Sequence, residues 1–450
     1  MSSKNTTNYT DSYTVCPGCD LLLDKVEPTP GHTVVCPRCG LRLHREQANS
    51  VQRSLALSVT GLLLFLPANF LPLMHLRVMG TEVSSSLFEA SLSMFSQGQP
   101  FVGSIVLLTG FVFPLVILSL LLWVSAGIAL DWNNRLLPDG MRWYRHLTEW
   151  AMQDVYLIGI FVTIIKISHT ATIDFGQGFF CFLALVITTV AAQSSVDKPL
   201  FWSLLEKNSD CPSPMYRVPT TARTGREAGL VLCHSCHKTL PHSFLAQQSQ
   251  GHHAQHCPRC GEHMHFRKQG SISRTWALLL TAAILSLPAN LLPIMEVRQF
   301  GQPMVSTIMD GIRFFFQEGS YGIGIIILTA SILVPLFKVS GMALILCSIH
   351  FNWTSWMRHK SLMFRFIEFI GRWSMLDIFV IALLCALVRF GFLSSISAAP
   401  AALYFTGVVL ATMFAAISFD QRLLWDTAYR KQSPKNNSAP QSAILTNGTT

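Results

Sequence analysis

The sequence predicts an α-helical polytopic membrane protein made of two tandem repeats, each a small zinc ribbon followed by four transmembrane helices. Three observations carry this expectation. Half of the 450 residues are hydrophobic and only 13% are charged, about half the charged share of an average soluble domain. Eight apolar windows reach the roughly 20 residues that cross a bilayer core. Motifs of the first half return in the second at a nearly constant offset, 217 positions from Cys16 to Cys233 and 223 from Trp150 to Trp373.

The first 50 residues hold two CxxC pairs and no apolar stretch, so no cleavable signal peptide is expected and the N-terminus should stay in the cytoplasm. Spans then follow at roughly 54–74, 102–130, 152–173 and 177–193, and again at roughly 276–295, 322–349, 373–393 and 399–418. An even number of spans places both termini and the polar middle on one side. The distribution of Lys and Arg agrees: Arg135, Arg142 and Arg145 lie in the connection 131–150, and Arg358, Lys360, Arg365 and Arg372 in 350–372. Segments 174–178 and 394–398, placed outside, have no Lys or Arg. The net charge of +9 therefore reads as topology and contact with anionic lipid, and no nucleic-acid partner is expected. The expected division is a ribbon over 1–50, spans over 51–200, a linker and second ribbon over 201–270, spans over 271–430, and a disordered tail from about Lys431, rich in Ser, Asn, Pro and Thr.

Eight cysteines form two sets, Cys16, Cys19, Cys36 and Cys39, then Cys233, Cys236, Cys257 and Cys260. Two residues between cysteines let both sulfurs face one metal, and a second CxxC after 16 or 20 residues completes a tetrahedral ribbon site. The cofactor expected is one structural Zn2+ per ribbon. A redox dithiol would need a thioredoxin-like βαβ context that these short stretches lack. The histidines around the second set (His234, His237, His242, His252, His253, His256, His263 and His265) read as a solvated loop, with a second metal site as the alternative. Cys181, Cys211, Cys347 and Cys385 have no paired spacing. With every thiolate committed to the metal, the ribbons are expected to fold and dock. They are not expected to catalyse.

Each half ends its first span with nearly the same nonapeptide, LPANFLPLM from Leu66 and LPANLLPIM from Leu287. Pro67 and Pro72, like Pro288 and Pro293, remove backbone donors, and Asn69 or Asn290 can satisfy the carbonyls thus freed. Irregular backbone at membrane depth is tolerated only against protein or a cavity. Pro114 and Pro335 break a second span in each half, and 86–98 and 306–319 read as amphipathic helices at the outer interface. Kinked spans beneath such helices imply a groove open sideways to lipid, with packing of a large bundle as the alternative.

Lys338 lies in the middle of the sixth span, where an ammonium is expensive and by default functional. Asp377 is its expected partner, with Ser331 two turns earlier and Thr412 in the last span completing a polar cluster. The first half keeps Asp154 but has Ile117 in place of Lys338, so the halves are not equivalent. Lys166 and Arg389 are expected to snorkel at the outer ends.

Paired CxxC sets, each followed by PANxLPxM, then PLFKxxG and WSMLDxFVIALL, resemble the paraquat-inducible protein A family over roughly residues 13–430. The resemblance implies a Gram-negative inner-membrane protein that trafficks phospholipid with a periplasmic MCE-domain tunnel partner. The first half departs from the pattern by lacking the lysine of PLFK. No GxxxxGK[ST] phosphate loop occurs, so coupling to the proton gradient through Lys338 and Asp377 is the expected energy source. An exporter of small toxic solutes and a membrane-anchored zinc or thiol sensor are the competing expectations. An enzyme is the weakest, for no nucleophile, base and orienting group share a plausible spacing.

Overall fold

The computed structural model describes residues 12–25, 32–78, 81–132, 134–167, 172–207, 216–219, 221–244, 256–299, 302–319, 321–388 and 394–432. Cys211, His252, His253, Arg389 and the tail beyond 432 lie outside these residues, as does the side chain of Lys166. The described residues hold eight helices long and apolar enough to span a membrane: Ser50–Phe70, Pro100–Ala129, Leu137–Ile165 and Gln177–Ser195, then Ser271–Leu291, Gly324–His350, Met357–Leu387 and Ala401–Ser418.

The paired prolines do not kink the first span twice; they end it. Helix α1 (Ser50–Phe70) carries Pro67 inside, and Leu71, held extended at φ −75° and ψ 150° by the Pro72 that follows it, donates its N–H to the Pro67 carbonyl. The helix therefore stops at Phe70, about four residues short of the expected span end, and the chain leaves as a strand, β5 (Met74–Val78). β5 pairs antiparallel with β6 (Thr81–Ser85) and with β7 (Thr172–Phe175), which precedes the fourth span. The second repeat builds the same sheet from β10 (Met295–Gln299), β11 (Gln302–Ser306) and β12 (Ser394–Ala398). Each sheet thus ties the first span of a repeat to its fourth, α7 (Gln177–Ser195) in one half and α15 (Ala401–Ser418) in the other.

Backbone bonds continue the tie. Gly176 and Gly178 donate to the carbonyls of Leu73 (2.9 Å) and Pro72 (3.1 Å), while Ala399 and Ala401 donate to Ile294 (3.1 Å) and Pro293 (3.2 Å). The ribbon end is clasped in the same repeated manner. Ser50 donates to the Ser195 carbonyl at 2.5 Å and accepts from the Asp197 N–H at 2.8 Å; Ser271 does so with Ser418 and Asp420, both at 2.9 Å. The first repeat is the tighter at its sheet end. A Cβ added at Gly176 would overlap the Pro72 carbonyl oxygen, and one at Gly178 would stand 2.5 Å from the Leu71 carbonyl oxygen. Gly176→Ala is therefore expected to destabilise the chain by about 1–3 kcal/mol, the usual cost of overpacking. Thermal unfolding in detergent measures it, and an unchanged midpoint would refute the close approach.

Helices α2 (Leu87–Ser96) and α10 (Ile308–Gln317) fall within the two stretches read as amphipathic. Both start with a capping box: Ser86 and Glu89 exchange side-chain and backbone bonds, as do Thr307 and Asp310. The correspondence of Glu89 and Asp310 between halves is thus a helix-start device. The second span joins α3 (Pro100–Leu107) and α4 (Phe113–Ala129) through a π-turn over Leu108–Val112, and its counterpart joins α11 (Tyr321–Leu328) and α12 (Val334–His350) through Thr329–Leu333. Each π-turn sits just before the proline that lacks an N–H. The chain widens there without breaking.

The third span is two helices in each half, α5 (Leu137–Thr148) and α6 (Gln153–Ile167), then α13 (Met357–Trp373) and α14 (Leu376–Leu387). The stretch read as a connection from 131 is therefore largely helical. Helix α14, buried from Ile378 through Leu387, forms the middle of the molecule. It packs against α6, with Tyr156 and Phe379 ring centroids 4.8 Å apart, and against α2. Gln97, just past α2, donates to the Cys385 carbonyl (3.3 Å) and accepts from the Ala398 N–H (3.1 Å). The first repeat's amphipathic helix is thereby pinned onto the second repeat. Helix α10 instead rests on α11 and β11 of its own half, and Glu318 stands at the place of Gln97.

Candidate metal centres and polar site

Short hairpins present the cysteines. In the first ribbon β1 (Tyr13–Val15) pairs with β2 (Leu22–Asp24) and β3 (Thr33–Val35) with β4 (Arg42–Arg45); in the second, β8 (Leu230–Leu232) pairs with β9 (Thr239–Pro241). Each CxxC turn closes with a bond back to its first cysteine: Asp20, Gly40, His237 and Gly261 donate to Cys16, Cys36, Cys233 and Cys257 at 2.8–3.1 Å. All four donors have positive φ, from 56° at His237 to 69° at Gly40. Gly40 and Gly261 meet this need without strain, whereas Asp20 and His237 fill it in the other two knuckles. Sequence spacing did not reveal those two.

The sulfurs converge. Cys16 and Cys39 lie 3.6 Å apart, as do Cys19 and Cys36; Cys233 and Cys260, and Cys236 and Cys257, are 3.5 Å apart. Within each set every ligand atom is within 4.8 Å of the others, and all eight residues are buried. Sulfurs at about 2.3 Å from a tetrahedral ion would be separated by about 3.8 Å, so both sets fit a four-thiolate metal. Hydrogen bonds from neighbouring cysteines, with burial, push the Cys19 and Cys236 thiols up. Four thiolates can share such a space only around a cation. Among the described residues no third group of three or more ligands comes together; His256 and His263 stack at 4.1 Å as a pair.

The ribbons are crossed. Cysteines of the first ribbon share a hydrophobic cluster with Leu279, Met342, Ile345, Phe364 and Trp425 of the second repeat. Those of the second ribbon share one with Leu121, Val124, Met141, Tyr144 and Trp202 of the first. Matching arginines on the two third spans grip the knuckles: Arg365 donates to the Cys39 carbonyl, and Arg142 to the Cys260 carbonyl at 3.2 Å. Arg38 lies 4.4 Å over the ring of Trp425 in α16 (Arg422–Gln432). Arg267 joins both ribbons to that helix, binding Asp20 at 3.0 Å and Asp426 at 2.8 Å.

A buried ionic knot lies beneath the last span. Asp420 and Arg422, both almost inaccessible, pair at 3.0 Å, and Arg422 donates onward to Nε2 of His234 at 2.8 Å. Burial, then the charge of Arg422, pushes His234 down to about 3, so the neutral ring is the acceptor. For Asp420 burial acts upward, but hydrogen bonds and charge from Arg422 outweigh it and hold the carboxyl at about 2, below its ordinary 3.8. Its contribution is present above the ordinary value and lost as pH falls through about 2. Asp420→Asn, which strands a buried guanidinium, is expected to cost about 3–5 kcal/mol at neutral pH. Unfolding midpoints of the two chains should converge on acidification; a gap that persists below about pH 2 would contradict the pairing.

Lys338, 2% exposed in α12, donates to the Ser374 hydroxyl at 3.2 Å, at the junction of α13 and α14. Ser374 was not among the expected residues. Asp377 follows in the first turn of α14, half-buried, and no ion pair joins it to Lys338 among the described residues. Ser331 is buried in the π-turn, and Thr412, also buried, donates to the Val409 carbonyl of its own helix. A signal for Ser374 existed in the repeat itself. Lys338 and Ser374 correspond to Ile117 and Ala151, so both polar residues are replaced together in the first half.

The proline motifs also differ between halves. Asn69 donates to the Phe65 carbonyl and Asn290 to the Ser286 carbonyl, each at 2.8 Å. These are not the carbonyls four residues before Pro67 and Pro288 that proline leaves without a donor, so the expected compensation is corrected to a second bond on a neighbouring carbonyl. Asn69 is wholly buried, whereas Asn290, Leu291 and Leu292 are exposed.

The family model described as Paraquat-inducible protein A matches residues 51–206 and again 272–429. The chain belongs to this family. Both matches begin just after a ribbon, so the family model covers the four-span unit twice. The chain is similar to the Lipophilic envelope-spanning tunnel protein A of Escherichia coli (strain K12), 34% identical over 92% of this chain and 91% of that one. It is also similar to the Intermembrane transport protein PqiA of the same strain, 33% identical over 92% and 95%. A Probable intermembrane transport protein of Haemophilus influenzae is 28% identical over 87% and 90%. No solved structure gives a significant match.

Proposed function

We propose that this family member is a non-enzymatic inner-membrane component of an intermembrane phospholipid transport system. In this reading it loads or receives lipid for a periplasmic MCE-domain tunnel partner. The ribbons lie on the cytoplasmic side, and each holds a Zn2+ between thiolates of the sort that ion prefers. The names of its relatives support transport between membranes. One observation carries the reading further: the two repeats end differently at their sheets. In the first, Asn69 is buried and α2 is pinned over α14. In the second, Leu291, Met304, Met309 and Phe314 are exposed around α10. An apolar surface of this kind at a membrane boundary suits an acyl chain, and Lys338 lies within the same repeat. Lipid enters through the second repeat, and Lys338 with Asp377 couples its movement to protons.

A photoreactive residue at Phe314, compared with one at Leu92 on α2, tests this. Phospholipid identified by mass spectrometry at 314 and several-fold less at 92 is the expected result. Equal capture at both, or none at 314, would overturn lipid entry through the second repeat.

A further inference from the structure

A cationic cleft lies at the opposite end of the molecule. Where the first ribbon meets α13, a cleft of about 180 Å³ is lined by Cys39, Gly40, Arg358, His359, Leu362 and Arg365. Its lining carries two guanidiniums and no carboxylate. Arg365 gives hydrogen bonds to two uncharged acceptors, the carbonyls of Cys39 and Ser361, and Arg358 makes no ion pair among the described residues. The Arg358 guanidinium lies against Gly40, 3.7 Å from the position a Cβ would take there.

The surroundings say where a ligand would come from. Leu362, Phe366, Phe369 and Trp373 are all exposed and recur at the spacing of one helix face, so an apolar stripe runs down the span from the mouth of the cleft. Trp353 and Trp356 stand exposed at the same level, as aromatic residues do at a membrane boundary. Two arginines above an apolar track match a phosphodiester with its acyl chains below.

The first repeat supplies an internal comparison. The corresponding residues there are Cys260, Gly261, Arg135 and Arg142, but Arg142 instead of Arg135 lies against Gly261, and Asp139 replaces Leu362 and pairs with Arg142 at 3.2 Å. His146 replaces Phe369, which interrupts the stripe. One architecture is therefore neutralised and polar, the other cationic and apolar.

We infer that the cleft between the first ribbon and α13 binds the phosphate of an anionic phospholipid from the leaflet on the ribbon side of the membrane. The site is separate from lipid entry at α10, and its failure would leave that reading intact. It adds to the crossed docking, because the lipid would bridge the knuckle of Cys39 to the second repeat.

The full chain, solubilised in detergent and titrated with phosphatidylglycerol or phosphatidylcholine, can be read by native mass spectrometry. Wild type should retain phosphatidylglycerol preferentially. Arg358→Gln removes an exposed side chain with no described hydrogen bond and should lower retention about fivefold. Leu362→Asp, which copies the first repeat, should do the same, and Asp139→Leu should add a second bound phosphatidylglycerol. Unchanged melting temperatures verify that the variants are folded. Equal retention by wild type and Arg358→Gln would overturn the site. So would displacement of the lipid by millimolar inorganic phosphate, which would mark a site for soluble anions.

Discussion

A Lys338→Met chain is expected to insert, fold and resist heat at least as well as wild type, yet to move no lipid. The buried ammonium has one described hydrogen-bond partner, the Ser374 hydroxyl, and an apolar side chain of similar length avoids its desolvation. Replacing buried charged groups with well-packed apolar ones often stabilises by about 1–4 kcal/mol. The fold already accepts this exchange, since Ile117 occupies the corresponding place in the first repeat and is fully packed. Ser374→Ala should act in the other sense, costing about 1–3 kcal/mol by leaving the ammonium unsatisfied. Combined with Lys338→Met it should cost almost nothing further, the signature of a direct pair in a double-mutant cycle. Melting in detergent gives the stabilities, and transfer of a labelled phospholipid gives the activity. Transport that survives Lys338→Met would end the case for coupling through this lysine.

Cys39→Ser is expected to have the larger structural effect, and to have it far from its own place in the chain. A structural four-thiolate site binds with an apparent free energy of about 10–16 kcal/mol in small ribbons, so losing a ligand should empty the first site and unfold its knuckle. Metal content should fall from two ions per chain to one. Because the first ribbon rests on the second repeat, amide exchange should rise in α13 and α16 more than in α5 and α8 (Lys198–Lys207). Cys260→Ser should give the reverse pattern. If both variants loosened only the span that follows them in sequence, the crossed docking would be wrong.

Much of this molecule could be read from its residues, and the parts that could not share a cause. The CxxC spacing picked out all eight cysteines that converge into two sets able to hold a metal, because ligation geometry is local. Length and apolarity likewise gave the eight spans. The strands β5 to β7 escaped because Met74–Val78, only five residues alternating apolar and polar at the end of an apolar run, pairs with segments as far away as Thr172–Phe175. The exchange of ribbons escaped for a deeper reason. Two copies of one unit carry the same docking residues, Arg142 matching Arg365 and Gly261 matching Gly40, so the sequence is compatible with pairing inside a repeat or across repeats. Ser374 was passed over since a serine beside a tryptophan has no signature of its own. It becomes visible only when Lys338 and Ser374 are compared as a pair with Ile117 and Ala151.

The exchange of ribbons also sets a timetable for biogenesis. Cys39 leaves the ribosome 326 residues ahead of Arg365, an interval of roughly 16–65 s at about 5–20 residues per second. Arg142 waits only 118 residues for Cys260, roughly 6–24 s at the same rate. The earliest-made ribbon is therefore the last to be seated, and it must hold its ion as an unattached bead while most of the membrane bundle is still being translated.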